Sequence, residues 1–162
     1  MRIYFFRHAH AEDAQGPEFD DFTRPLSTRG NERTQAAAGA LERLGLKPVR
    51  VFSSPRLRAR QTADILAKAF ATPVIVREEL NFGFNPAFIS TLVEGLETED
   101  EVLLIGHEPD FSTTIAAITG GSDVMMKKGS AARVDLIAQQ PPRGTLVWLL
   151  TPRTLDLMTG EG

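Results

Sequence analysis

With 162 residues, 42% of them hydrophobic and 24% charged, and a formal net charge of −3, the chain is typical of one globular domain, which excludes a disordered protein. No run of lysine or arginine indicates a nucleic-acid or membrane surface, and no apolar run approaches the ~20 residues that span a bilayer. The lack of cysteine excludes disulfides and cysteine nucleophiles; together with an N-terminus that does not resemble a signal peptide, it predicts a cytoplasmic protein.

Strand-like and helix-like segments alternate along the chain. A buried strand is predicted over 2–6, and a polar loop separates it from a helix that Thr28 caps and Gly45 terminates. The elements predicted after this helix are a strand over 49–54, a helix over 55–70 with Pro55 in its first turn, a strand over 73–76, a helix over 85–96 capped by Asn85, a strand over 101–106, a helix over 110–118 ended by Gly120-Gly121, and a hairpin whose strands flank 139–144.

This alternation predicts an α/β fold, a three-layer α/β/α sandwich with a mostly parallel central sheet. The sequence contains no internal repeat and no linker, so we expect one domain over 1–152. Residues 153–162 follow a proline and are predicted to form a C-terminal surface tail.

Three predicted strands end in residues that suit phosphate chemistry. Arg7-His8 follows the first strand, the helix after the second strand carries Arg58, and His107 follows the strand over 101–106. Ligands of open α/β sheets bind at the carboxyl ends of strands, where two arginines would neutralise a phosphoryl dianion. One neutral histidine can attack phosphorus in line, and the other can bind an equatorial oxygen. Acyl transfer fits worse, since the sequence has no G-x-S-x-G elbow.

These motifs resemble those of the histidine phosphatase (phosphoglycerate mutase-like) superfamily. The opening Arg-His resembles its Arg-His-Gly signature, and IGHEP resembles the block around its second histidine. Its S-x-x-x-R-A-x-x-T motif is matched at Ser54, Arg58, Ala59 and Thr62. RPLSTRG and the chain length are similar to those of short bacterial phosphohistidine phosphatases, and the resemblance covers residues 1 to 152.

The resemblance implies a phosphoglycerate mutase-like fold and a role for each matched residue. His8 is the implied nucleophile, which would form a phosphohistidine that water hydrolyses. Arg7, Arg58 and His107 are the implied phosphate ligands, and Arg24 would line the rim of the pocket. No metal or other cofactor is implied.

Two carboxylates are candidate proton donors, and one position departs from the family pattern. Glu79 lies where many members keep their donor, and Glu108 follows the second histidine, as in another branch; we slightly prefer Glu108. Ala9 stands where the superfamily usually has glycine, so it would be strained if this position required a positive φ.

The implied substrate is phosphohistidine on a protein, because a short chain leaves little room for insertions that wall the site. A small phosphate ester remains the alternative. The sequence HAHAED is also similar to a zinc-binding H-x-H-x-D-H motif through His8 and His10, but Asp13 replaces the third histidine. A third alternative is a non-catalytic module that binds phosphorylated proteins.

Several charged residues are expected to be solvated. Arg56 and Arg60 are four residues apart on the predicted helix and two positions on either side of Arg58, so we expect them to face water. Asp20 and Asp21 are expected to be ordinary loop acids.

Overall fold

The computed structural model describes residues 1–121 and 123–160. Its six strands are β1 (Arg2–Arg7), β2 (Arg50–Ser53), β3 (Val74–Val76), β4 (Glu101–Gly106), β5 (Ala131–Gln139) and β6 (Pro142–Leu150). Its α-helices are α1 (Thr28–Arg43), α2 (Leu57–Phe70), α3 (Pro86–Leu92), α4 (Asp110–Thr119) and α5 (Pro152–Thr159). Single turns of 3₁₀ helix lie at Asp21–Thr23 and Glu78–Leu80. No helix in the described part of the chain is long and apolar enough to cross a membrane.

The strands form one sheet in the order β3-β2-β4-β1-β5-β6. The first four strands of this order are parallel to one another, and the hairpin of β5 and β6 adds two antiparallel strands at the β1 side. The prediction of a mostly parallel sheet is therefore confirmed. β2, β4 and β1 are neighbours, so their carboxyl ends meet at one edge.

Both faces of the sheet are covered, which confirms the three-layer sandwich. Alternate residues of β1 point to opposite faces. Ile3 and Phe5 pack in the core beneath α3 and α4, whereas Tyr4 and Phe6 pack in the core beneath α1, α2 and α5. The four are almost fully buried, and a two-sided core of this kind holds β1 rigidly in the centre of the sheet.

Three predicted helix boundaries were wrong. Ser27, and not Thr28, caps α1, because its hydroxyl accepts a hydrogen bond from Gly30 N. Pro55 precedes α2 and does not lie in it, because the backbone at Arg56 is still extended. α3 ends at Leu92, four residues before the predicted end; Asn85 caps it as expected.

The C-terminal segment is a helix, where we expected a surface tail. Thr151 caps α5, and Leu155 is completely buried in the core between α1 and the sheet. The apolar side chains of α5 are spaced so that one face packs against α1. The expected tail is therefore wrong over residues 153–159, and its last two residues, 161 and 162, lie outside the described residues.

Candidate active site

The three strand ends that carry the candidate residues lie side by side. Arg7 of β1 pairs with Gly106 of β4, and Ser53 of β2 pairs with Ile105 of β4. The backbone N–H of His8 donates to Gly106 O at 3.1 Å, which continues the ladder beyond the strands. His8 and His107 therefore come together, with their ring centroids 5.1 Å apart.

His8 is held as a neutral imidazole. Its Nδ1 donates to the carbonyl oxygen of Ala9 at 2.8 Å, so the proton of the neutral ring lies on Nδ1. Its Nε2 carries the lone pair and accepts a hydrogen bond from Arg58 Nε at 3.2 Å. Burial lowers the pKa of His8 to about 3; the positive charges of Arg58 and Arg7 act in the same direction, and the bond to Ala9 opposes them. A lone pair is therefore available on Nε2 at neutral pH.

His107 lies behind this pair and is also neutral. Its Nε2 is 2.7 Å from the hydroxyl of Ser54 at the end of β2. Burial, with smaller contributions from the neighbouring His8 and Arg58, lowers the pKa of His107 to about 2. The ring is 2% exposed, so only a small group can reach it.

Unsatisfied hydrogen-bonding groups cluster at this edge of the sheet. Within residues 1–121 and 123–160, the buried side-chain polar atoms without a partner are Arg7 Nε, His107 Nδ1 and Ser130 Oγ. Ser130 lies next to Arg7, because its carbonyl oxygen accepts from Arg7 N at 3.1 Å. Arg7 Nε and Ser130 Oγ are donors, and His107 Nδ1 carries a proton when Ser54 Oγ donates to Nε2 of the neutral ring. Buried donors without partners are costly, so a cluster of them indicates a place for an acceptor-rich ligand. An anion with several oxygens fits this description.

A carboxylate organises the arginines beside the histidines. Asp21 Oδ2 accepts from Arg56 at 2.7 Å and from Arg58 at 3.2 Å, and Asp21 Oδ1 accepts from Arg24 Nε at 3.0 Å. Arg58 also donates to the backbone oxygen of Asp21 at 2.8 Å. The expectation that Arg56 faces water was wrong, since its side chain is 15% exposed, and Asp21, although 42% exposed, is not an ordinary loop acid because it binds three arginines. Because Arg56 precedes α2 and is not part of it, its side chain can converge with that of Arg58.

Arg56 also packs against an aromatic ring, that of Phe82, which contacts His107. The guanidinium carbon of Arg56 lies 3.9 Å from the ring centroid of Phe82, close enough for a cation–π interaction. The rings of Phe82 and His107 meet edge to face, with 4.9 Å between the centroids. Arg60, by contrast, pairs with Asp64 one turn along α2, as expected of a solvated face.

Ala9 adopts the backbone of this site without strain. It does not have a positive φ, so the methyl group that replaces the family's glycine hydrogen is tolerated. Its backbone N–H donates to Thr62 Oγ1 at 3.3 Å, and Thr62 in turn donates to the Arg58 carbonyl at 2.8 Å. Thr62 therefore ties the strand end that carries His8 to the helix turn that carries Arg58.

The two candidate proton donors both have other partners. Glu79 is bound by Arg77, and that hydrogen bond lowers the pKa of its carboxyl group. Glu108 accepts from the backbone N–H of Ser112 at 3.1 Å and from its hydroxyl group, so it caps the first turn of α4. A proton donor at neutral pH needs a raised pKa, so the lowered pKa of Glu79 argues against that role, and the carboxylate oxygens of Glu108 are occupied by Ser112.

His10 does not face the same way as His8. Its Nδ1 is 2.8 Å from Ser27 Oγ, at the start of α1. In residues 1–121 and 123–160, no group of three or more histidine, aspartate or glutamate side chains is placed to hold a metal ion.

Sequence reasoning missed Asp21, Arg56 and Ser130. Asp21 begins a 3₁₀ turn three residues before Arg24, and its contacts with arginines, two of them distant in the sequence, distinguish it from its neighbour Asp20. No local pattern indicates such contacts.

Comparison with known proteins gave consistent matches. The model of the histidine phosphatase superfamily (branch 1) matches residues 3–81. An uncharacterized protein of Picosynechococcus sp. is 39% identical over 127 residues, 75% of this chain and 74% of that protein. Phosphohistidine phosphatase SixA of Escherichia coli is 27% identical over 161 residues, 97% of this chain and 98% of SixA.

The fold is also similar to solved structures. The structure of the protein histidine phosphatase SixA complexed with tungstate superposes with a TM-score of 0.82 at 27% identity, over 96% of this chain and 99% of that one.

Proposed function

Because this chain belongs to the histidine phosphatase superfamily, we propose that it is a metal-independent phosphatase that transfers a phosphoryl group to His8 and then to water. The observation that carries the proposal is the state of His8: its Nδ1–H is bound to Ala9 O, and its Nε2 lone pair faces the guanidinium of Arg58. A neutral imidazole fixed in this tautomer is a competent nucleophile.

The phosphoryl group binds between the two histidines. Arg58 Nε releases Nε2 of His8 and donates to a phosphoryl oxygen, and Arg7 Nε and His107 Nδ1 supply donors that have no other partner in the described residues. Arg24 is paired with Asp21, and in this proposal it lines the rim of the site. Nε2 attacks phosphorus as the bond to the leaving group breaks, and the donors stabilise the charge on the equatorial oxygens. Water then attacks the phosphohistidine and releases phosphate.

The substrate we propose is phosphohistidine on a protein. The leaving group is then an imidazole, which solvent can protonate, so the reaction needs no strong acid catalyst. This suits the engagement of Glu79 by Arg77 and of Glu108 by Ser112. An alkoxide leaving group needs a proton, and of the two carboxylates we still prefer Glu108, which follows His107 directly. The match to SixA over 97% of the chain supports the same substrate class.

A dephosphorylation panel in the presence of EDTA tests the proposal. A phosphohistidine-carrying protein, a phosphoserine peptide, a sugar phosphate and p-nitrophenyl phosphate are compared by kcat/KM, and we expect the phosphohistidine protein to be preferred. Rapid quenching should trap an acid-labile, alkali-stable phosphoenzyme. His8→Ala should lose this label and reduce the rate by several orders of magnitude, whereas His10→Gln should retain the label.

Each alternative gives a different result in this panel. Preference for the sugar phosphate would identify a small-molecule phosphatase. Activity lost in EDTA and restored by zinc would identify a metal-dependent hydrolase. Tight binding of the phosphoprotein without turnover would identify a binding module, and near-normal turnover by His8→Ala would refute the covalent mechanism.

A further inference from the structure

A second cationic site lies beside the proposed phosphoryl site. A cavity of about 320 Å³ borders the strand end on both sides of the nucleophile, since Arg7 and Ala9 line it. Its rim carries Arg29 and Arg33 from one side and Lys127 and Lys128 from the other. His8, His107 and Arg58 do not line it, so the cavity adjoins the phosphoryl site and shares Arg7 with it.

The charge of this rim is concentrated and largely unneutralised. The whole chain has a formal net charge of −3, yet five lysine and arginine residues, the four of the rim and Arg7, line one cavity. Arg33 approaches Asp156 at 3.8 Å, and within the described ranges no carboxylate pairs with Arg29, Lys127 or Lys128. Like charges repel unless an anion separates them, so the arrangement favours an anionic occupant.

The turn that carries the lysines is fixed to the nucleophile. The backbone N–H of Gly129 donates to the carbonyl oxygens of Arg7 and His8 at 3.1 and 3.2 Å, and Ser130 N closes the turn onto Lys127 O at 2.8 Å. The ammonium group of Lys128 is near enough to contribute to the lowered pKa of His8. The backbone of the turn that carries both lysines is therefore fixed relative to His8.

The helix that carries the arginines is fixed to the same strand end. Ser27 N donates to His10 O at 3.1 Å, and the close packing of Gly30 on His10 O would place an added Cβ atom 2.0 Å from that oxygen. Arg29 and Arg33 are one turn apart on α1 and project toward the same cavity. The turn that carries the lysines and the helix that carries the arginines are therefore both bound to the backbone of residues 7–10.

We propose that this cavity binds a second anionic group of the substrate while the phosphoryl group is held at His8. The inference rests on the proposed function. For a phosphohistidine protein, the group would be an aspartate or glutamate side chain near the phosphohistidine. The anion would add two to four ion pairs at a fixed distance from phosphorus and would orient the substrate for in-line attack.

Matched phosphohistidine peptides test this inference. Two peptides of equal length carry either two aspartates or two asparagines within four residues of the phosphohistidine. We expect kcat/KM to be about five- to tenfold higher for the aspartate peptide at low salt, because partly exposed ion pairs contribute modestly to binding. We expect the preference to fall as NaCl screens the charges.

Variants that remove positive charge test whether this cavity causes the preference for the aspartate peptide. The double variant Lys127→Ala/Lys128→Ala and the single variant Arg29→Gln should reduce the preference toward one. The control is Arg143→Ala, an exposed residue at the β5–β6 turn, at the opposite end of the sheet, and it should retain the full preference. Equal rates for the two peptides in the wild-type protein, or a full preference in the lysine double variant, would overturn the inference.

The two proposals fail in different ways. If neither peptide is hydrolysed, the phosphohistidine proposal is wrong. The second anion site is then tested with two small esters, phenyl phosphate and a phenyl phosphate that carries a carboxylate on its ring. A preference for the carboxylate ester that is lost in the lysine double variant would support the second anion site with a small substrate. No preference between the esters would refute it.

Discussion

Asp21 is bound by three arginines beside the nucleophile. Partial burial would raise the pKa of its carboxyl group, but Arg58 and Arg24 outweigh this effect and lower it, so the group is an anion. Arg58 is 2% exposed and would be costly to bury without such a partner. We therefore assign Asp21 a positioning role: it holds Arg58 in the orientation from which Nε reaches His8.

Replacing Asp21 with asparagine tests this role. Asp21→Asn removes the charge but keeps the size of the side chain, so the positive potential at the site rises while Arg58 is held less firmly. We expect kcat to fall about tenfold and inorganic phosphate to inhibit about threefold more tightly, which corresponds to about 1.4 and 0.7 kcal/mol. Steady-state kinetics with phosphate as inhibitor measure both. Asp13→Asn, in the same loop and exposed, makes the same charge change and should resemble the wild-type protein. If the two variants behave alike, Asp21 does not position Arg58.

The start of α1 fixes the position of the segment that follows β1, residues 8–10. Ser27 Oγ accepts from Gly30 N at 3.0 Å and donates to His10 O at 3.2 Å, so one hydroxyl caps the helix and binds the loop. Gly30 is needed because the carbonyl oxygen of His10 occupies the space of a β-carbon. The nucleophile is thus positioned by a helix that contributes none of the candidate phosphate ligands.

A pair of glycine substitutions in α1 separates this contact from helix propensity. In Gly30→Ala the new methyl group would overlap His10 O, which is backbone and cannot move without shifting the loop; we expect a loss of about 2 kcal/mol in the free energy of unfolding and a lower kcat. In Gly39→Ala the nearest atom is 3.9 Å away, in Thr159, so we expect a gain of up to about 1 kcal/mol. Urea unfolding measures both. Equal effects of the two substitutions would show that the contact at Gly30 is not restrictive.

At the scale of the whole molecule, the buried histidines make stability depend on pH. Desolvation lowers the pKa of His8 to about 3 and that of His107 to about 2 in the folded chain, whereas in the unfolded chain both titrate near 6.5. As the pH falls below 6.5, the unfolded chain binds protons that the folded chain cannot, so the free energy of unfolding decreases with falling pH. The carboxylates with lowered pKa values have ordinary values of 3.8 for Asp135 and 4.5 for Glu79, so they contribute mainly below about pH 4.5.

This linkage predicts a measurable slope between pH 6 and 4.5. Each buried histidine should remove roughly 1.4 kcal/mol of stability for each full pH unit below its unfolded pKa. His8→Gln and His107→Gln should each reduce the slope by about half, and the double variant should be nearly independent of pH in this range. Urea midpoints at three pH values test this, and an unchanged slope in both single variants would contradict it.

Local patterns in the sequence determined the central elements and the pair of histidines. β1 and β4 are short apolar runs, α1 and α2 have helical periodicity, and each can be read without knowledge of the rest of the chain. His8 and His107 follow parallel strands directly, and the carboxyl ends of neighbouring parallel strands share an edge, so their proximity follows from the fold class.

Only the tertiary structure decided how charge is arranged around that pair. Asp21 and Arg58 are 37 residues apart, and the basic cavity joins α1 to a turn about 100 residues later. The C-terminal segment likewise forms α5 because Leu155 is buried in the core beneath α1. Each of these depends on which distant surface a loop or terminus meets, and on the desolvation that the contact imposes. The spacing of neighbouring residues does not encode these long-range contacts or their desolvation, because ion pairing and burial are properties of the folded chain.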